Sequence, residues 1–127
     1  MTKNKTGKII IPKHTIIQPH ELAVATILSW TGHKVEFIPL GPAHTADIRF
    51  GGREWEIKSP KGKSSHTIEN NMRLALRQAE NIIIDLSRIR MPEEKAMREA
   101  KRQFHLYKQA KRLLIITKNR KIIHVYK

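Results

Sequence analysis

The sequence contains no cysteine, which removes disulfides, thiolate catalysis and cysteine-based zinc sites together and leaves the compartment open. No apolar run approaches the roughly 20 residues that span a bilayer. No segment pairs a basic face with the large Trp/Leu/Phe face of an interfacial helix, so a membrane surface is not the expected partner. Met1 to Lys8 is polar and basic, without a signal-type apolar core or a small-residue cleavage site, and the chain therefore reads as soluble with no export address. Glycine-rich phosphate loops of the nucleotide-binding kinds are absent, and so are internal repeats and low-complexity stretches. Acidic residues are few: 11 Asp plus Glu stand against 25 Lys plus Arg, a formal charge of +14.

What is present bounds the rest. A length of 127 residues accommodates one domain, 1–127, with 1–17 as an N-terminal arm or edge strand. With 39% hydrophobic residues the chain can build a core despite its charge, which argues against disorder. Clustered Lys and Arg gain affinity by releasing counterions from a phosphate backbone, so nucleic acid is the leading partner. The competing explanation is a basic surface that serves solubility or a protein partner.

Ile9 to Ile17 holds two short β-rich runs broken by Pro12. Pro19 suits a first helical position, and the apolar run through Leu22, Ala25, Ile27 and Leu28 predicts a helix ending near Gly32. Lys34 to Leu40 reads as a strand and Ala43 to Ala46 as a loop. Alternation on both sides of Gly51-Gly52 predicts a hairpin, Asp47–Phe50 with Arg53–Lys58. Ser59 to His66 is a basic loop. A second helix, capped by Ser65 or Thr67, would carry the stripe Ile68, Met72, Ala75 and Ala79. Asn81 to Leu86 reads as a central strand buried on both faces. Pro92 opens a third helix with Glu93 and Glu94 in its first turn and Met97, Ala100, Phe104 and Tyr107 inward. Leu113–Thr117 and Ile122–Tyr126 form a terminal hairpin around Asn119. The fold class is α/β (α+β), a mixed central sheet flanked by helices.

The hairpin has a core face and a chemical face. A two-residue turn at Gly51-Gly52 pairs Phe50 with Arg53, Arg49 with Glu54, Ile48 with Trp55 and Asp47 with Glu56. Asp47, Glu56 and Lys58 then project on one side, while Ile48, Phe50, Trp55 and Ile57 supply the apolar side. Facing carboxylates are unfavourable unless a positive charge lies between them, and Mg²⁺ or Mn²⁺ would answer that with water and substrate phosphate completing the shell. Lys58 is placed to orient water or stabilise a scissile phosphate. Glu21, in a first helical turn, is a candidate third carboxylate, with a helix-dipole role as its alternative. An ordinary surface ladder, in which Arg49 neutralises Glu54 and Lys58 neutralises Glu56, is the plainer account.

The order Glu21, Asp47, Glu56-Ile57-Lys58 resembles the active-site pattern of the PD-(D/E)xK nuclease superfamily and implies its restriction-endonuclease-like core. Over Pro19 to Arg88, Ala46-Asp47-Ile48, Trp55-Glu56-Ile57-Lys58-Ser59-Pro60, Thr67-Ile68-Glu69-Asn70-Asn71 and Asn81-Ile82-Ile83-Ile84-Asp85 resemble the C-terminal tRNA nuclease domains of CdiA-type contact-dependent growth-inhibition toxins. That resemblance implies a metal-dependent tRNA endoribonuclease that is delivered on a large secreted protein, acts in the cytoplasm of a target cell and is restrained by a cognate immunity protein. The chain starts at a methionine without the long delivery region, so a standalone relative and an excised toxin domain both stay open.

Thr67, Asn71 and Gln78 fall on one polar stripe of the second predicted helix and are candidate substrate contacts, as are Lys61 and Lys63 in the preceding loop. Arg98, Arg102, Lys108 and Arg112 could hold substrate at a distance, or form a wet helix face. A metal-free ribonuclease using His20, His44 or His66 is the rival chemistry, though no local spacing pairs them. A DNA endonuclease on the same core and a non-catalytic nucleic-acid-binding module are the alternative functions.

Overall fold

Both glycines of the Gly51-Gly52 turn have positive φ, 61° and 76°, a conformation that a two-residue hairpin matching the strand twist requires and that side-chain-bearing residues resist. The computed structural model describes residues 5–39, 41 and 46–127. Around this turn β3 (Ile48–Phe50) and β4 (Arg53–Lys58) pair in the expected register, Phe50 with Arg53, Arg49 with Glu54 and Ile48 with Trp55. The ladder ends at Ile48–Trp55. Asp47 lies just outside it, its amide donating to the Trp55 carbonyl at 2.9 Å.

The remaining strands extend the sheet on either side. β1 (Ile9–Ile10) lies parallel to β2 (Val35–Phe37), which pairs antiparallel with β3. Beyond β4, β5 (Asn81–Asp85) and β6 (Arg112–Ile116) run parallel to it, and β7 (Ile122–Val125) closes the terminal hairpin. Among the described residues the result is a seven-stranded mixed sheet in strict order from β1 to β7. The strand expected over Lys34 to Leu40 is shorter than its apolar content suggested. Of the loop expected at Ala43 to Ala46, only Ala46 is among the described residues, and it is buried.

Helices cover the two faces unequally. Helix α1 (Pro19–Ser29) packs Val24, Ala25 and Leu28 against Val35, Phe50, Trp55, Ile57 and Ile83. Helices α2 (Thr67–Ala75) and α3 (Glu93–Leu106) pack on the other face, burying Ile68, Met72, Ala96, Ala100 and Phe104 against Ile82, Ile84, Leu113 and Ile115. β5 therefore meets helices on both sides, which is why Ile82, Ile83 and Ile84 are all fully buried. The mixed sheet flanked by helices agrees with the expected fold class.

Two helical expectations need correction. Neither Ser65 nor Thr67 caps α2: Thr67 is its first helical residue and His66 occupies the cap position without a side-chain bond. The helix also stops at Ala75, because Arg77 and Gln78 donate to the carbonyls three residues back, Leu74 and Ala75, tightening the chain into a turn that excludes Ala79 from the stripe. In α3 the inward face is rotated, so that Ala96 and Gln103 join Ala100 and Phe104 while Met97 and Tyr107 are only partly buried. Gln103 tolerates burial because its Nε2 donates to the Glu99 carboxylate at 3.2 Å.

The N-terminal arm is held by close backbone approach. Gly7 donates to the Ser29 carbonyl at 2.7 Å, and Val35 donates to the Lys8 carbonyl at 2.8 Å. A Cβ on Gly7 would overlap the His33 backbone carbonyl. Gly7→Ala is expected to displace β1 from β2 at a cost of about 1–3 kcal/mol. Faster amide exchange at Ile9 and Ile10, with β5 unchanged, is the readout, and unaltered exchange there would contradict the account.

Candidate active site

Register and pleat decide which side chains meet. Glu56 and Lys58 pair with Ile82 and Ile84 of β5, whose side chains belong to the core beneath α2 and α3, so Glu56 and Lys58 project on that same face. α2 packs against β4 there. The Lys58 ammonium lies 3.3 Å from Glu56 Oε2. Asp47, the residue before β3, joins them: its Oδ2 accepts the Ile57 amide at 2.8 Å, and its carboxylate acts electrostatically on Glu56. Because a carboxylate has two oxygens, this main-chain bond fixes the group without using up its capacity to bind.

The electrostatics are strained in one direction. Glu56 is only 5% exposed. Burial first and the neighbouring Asp47 carboxylate second, offset only in part by Lys58, together push its carboxyl from an ordinary 4.5 up to about 8. The pair is short of positive charge, and that is the condition a divalent cation relieves. Among the described residues no group of three or more His, Cys, Asp and Glu side chains is gathered as a metal-ligand set. Two neighbouring carboxylates suit a hard cation that fills the rest of its shell with water and phosphate oxygen.

Glu21 is not brought into this group. Its carboxylate accepts the Gln18 amide at 3.1 Å, satisfying an orphan donor at the start of α1. α1 packs on the Trp55 and Ile57 face, the opposite side of β4 from Glu56.

The predicted polar stripe divides. Thr67 opens α2, and Asn71 Nδ2 donates to the Thr67 carbonyl at 2.8 Å. Gln78 lies past the end of the helix, beside Arg53, Glu54 and Asn81 at the other end of β4 and β5 from Lys58. Lys61 and Lys63 are exposed on the loop that begins after Lys58. Of the histidines named for metal-free chemistry, His66 contacts Glu69 at 3.6 Å on an open surface, and His44 lies outside the described residues.

A polar cluster behind Lys58 adds a residue that the sequence did not mark as functional. The Asp85 carboxylate, only 2% exposed, accepts the Ser59 hydroxyl at 2.9 Å, the Ser87 amide at 3.0 Å and the Ser87 hydroxyl at 3.1 Å. Arg88 Nη2 donates to the Ser59 carbonyl at 2.7 Å. These bonds tie the residue after Lys58 to the end of β5, so Asp85 anchors the start of the loop that carries Lys61 and Lys63. Its signal was an acid closing a strand whose interior is three isoleucines, with a serine two residues on to complete an Asx turn. Asp85→Ala is expected to destabilise the protein by about 2–3 kcal/mol in chemical denaturation, because a buried hydroxyl and amide lose their acceptor. A midpoint equal to wild type would refute that role.

The model of the contact-dependent growth inhibition CdiA C-terminal domain matches residues 44–122. No curated protein matches the chain. Among solved structures, the CdiA-CT/CdiI toxin and immunity complex from Burkholderia pseudomallei contains a chain that is 18% identical, with a TM-score of 0.65 over 94% of this chain and 100% of that one. At that identity the likeness is one of fold, and it agrees with the mixed sheet and its flanking helices. Since the matched region spans more than half of the sequence, the chain belongs to the CdiA C-terminal toxin domain family of contact-dependent growth inhibition.

Proposed function

We propose that this toxin domain is a divalent-metal-dependent nuclease of the PD-(D/E)xK type that hydrolyses phosphodiester bonds in RNA, with tRNA as its substrate. The observation that carries the proposal is the buried Glu56 carboxyl, raised to about 8, beside Asp47 and 3.3 Å from the Lys58 ammonium. Asp47 and Glu56 would hold Mg²⁺ or Mn²⁺. When bound, such a cation neutralises the two carboxylates and polarises the scissile phosphate.

The chain's own groups supply the rest. Lys58 Nζ, tethered to Glu56, donates to the attacking water or to a phosphate oxygen. Asp47, anchored by the Ile57 amide, holds its orientation throughout. Lys61 and Lys63 beside this strand end, with Thr67 and Asn71 at the start of α2, are the substrate contacts nearest to it in the chain. Gln78, near Arg53, would serve a more distant part of the substrate. RNA and tRNA specificity rest on the motif resemblance. The Burkholderia structure is a complex of a toxin with its immunity protein, and an inhibitory partner of that kind is proposed for this chain, together with action in the cytoplasm of a target cell.

Asp47→Ala, Glu56→Ala and Lys58→Ala are each expected to lower cleavage of purified tRNA in Mg²⁺ at least about 100-fold while retaining native circular dichroism. Glu21→Gln is expected to keep most activity, since its carboxylate serves a helix end. A plasmid assay run in parallel identifies a DNA enzyme. Full activity in excess chelator, or no cleavage of either polymer, would sink the nuclease proposal.

A second expectation concerns stability without metal. Glu56 binds its proton more tightly in the folded chain than in the unfolded one, so its stabilising contribution is complete below about pH 4.5 and is lost as pH rises through about 8. Thermal melts in chelator should show that decline, and Glu56→Gln should flatten it, gaining on the order of a few kcal/mol at the alkaline end. Mg²⁺ should restore the wild type at pH 8 but not the variant. Equal Mg²⁺ stabilisation of both proteins would place the cation elsewhere.

A further inference from the structure

Away from Glu56, at the hairpin end of β4, the α1 side of the sheet is left open. A groove of about 770 Å³ lies there, floored by Trp55 and Leu114 and bordered by the β3–β4 turn, the start of β6 and the end of the chain. Its floor is rigid, since Trp55 Nε1 donates to the Phe50 carbonyl at 2.9 Å. Its wall presents exposed rings: Tyr126, 78% exposed, stands nearly parallel to His124, at 15° with centroids 6.4 Å apart.

The charge around the groove has one sign. Arg53, Lys111 and Arg112 border it, all exposed, and among the described residues no Asp or Glu lines it. None of the three forms an ion pair with a carboxylate among the described residues, unlike Arg49, which faces Glu36 and Glu54, or Arg102, which faces Glu99. Arg53 and Arg112 each donate through Nη1 to a neutral acceptor, the Gly51 carbonyl at 3.2 Å and Asn81 Oδ1 at 3.5 Å respectively, and keep their charge and other donors. The Lys127 ammonium at the border instead donates to the carbonyls of Phe104 and Tyr107, each at 2.8 Å. A sheet surface that offers exposed rings between cations without carboxylate partners is complementary to single-stranded nucleic acid, whose bases stack and whose phosphates demand positive charge.

We infer that this groove binds a single-stranded segment of RNA, with a base stacked on Tyr126 and phosphates held by Arg53, Lys111 and Arg112. Because Trp55 and Glu56 point to opposite faces of β4, the groove is an anchoring site separate from the scissile phosphate, and it holds the substrate rather than reacting with it. Its purpose rests on the proposed RNA nuclease activity, but its binding can be measured alone.

The test is fluorescence anisotropy of a labelled oligouridine in chelator, so that no cleavage occurs. Tyr126→Ala should weaken binding roughly tenfold or more and Tyr126→Phe should retain it, because the ring and not the hydroxyl makes the contact. Arg53→Ser with Arg112→Ser should make the salt dependence shallower by about 1.4 in log–log slope, the share of two phosphate contacts on a single strand. A blunt RNA duplex should compete poorly. In cleavage assays these variants should raise KM for a folded RNA and leave kcat unchanged. Wild-type affinity in Tyr126→Ala and the double variant, as expected if the groove receives a protein, overturns the inference even if tRNA is cut. Ring-dependent oligouridine binding upholds it even if no RNA is ever cut.

Discussion

The two-residue turn at Gly51-Gly52 sets the direction of every side chain on β4, and the rest of the molecule is arranged around that choice. With both glycines at positive φ, the register sends Trp55 and Ile57 toward α1 and Glu56 and Lys58 toward α2. A slip of one residue would exchange the two sets, burying charges in the core beneath α1 and forcing an indole into the site of Glu56. The packing on both faces therefore protects the register. The same register places one carboxyl beside another, and the Lys58 ammonium offsets only part of their repulsion.

Much of this was legible from residue order. The hairpin pairing could be read because a Gly-Gly pair between alternating runs admits few other structures. The central strand could be read because consecutive isoleucines bounded by polar residues suit a position between two helical layers. Asp47 was harder. Its proximity to Glu56 followed from register, yet the bond from its carboxylate to the Ile57 amide did not, since a side chain that replaces a ladder bond leaves no trace in periodicity.

Other features were set by contacts between distant segments. Glu21 carries the same first-turn pattern whether it caps its helix or binds a metal, and only the side of the sheet on which α1 lies distinguishes these roles. Gln78 left the polar stripe because α2 ended early, a boundary decided by the return of the chain to β5 rather than by helix propensity. Asp85 was visible as the end of a strand, but the serine hydroxyl that it accepts arrives from 26 residues away.

The order of the sheet has a consequence for how the protein reaches this state. Among the described residues each strand lies beside its predecessor and successor in the chain, from β1 through β7. Each newly added strand closes only the loop or helix immediately behind it, so the entropy lost at each step is small and growth can proceed outward from the central hairpin. Such a topology suits a domain that has to recover its native form quickly whenever it has been unravelled.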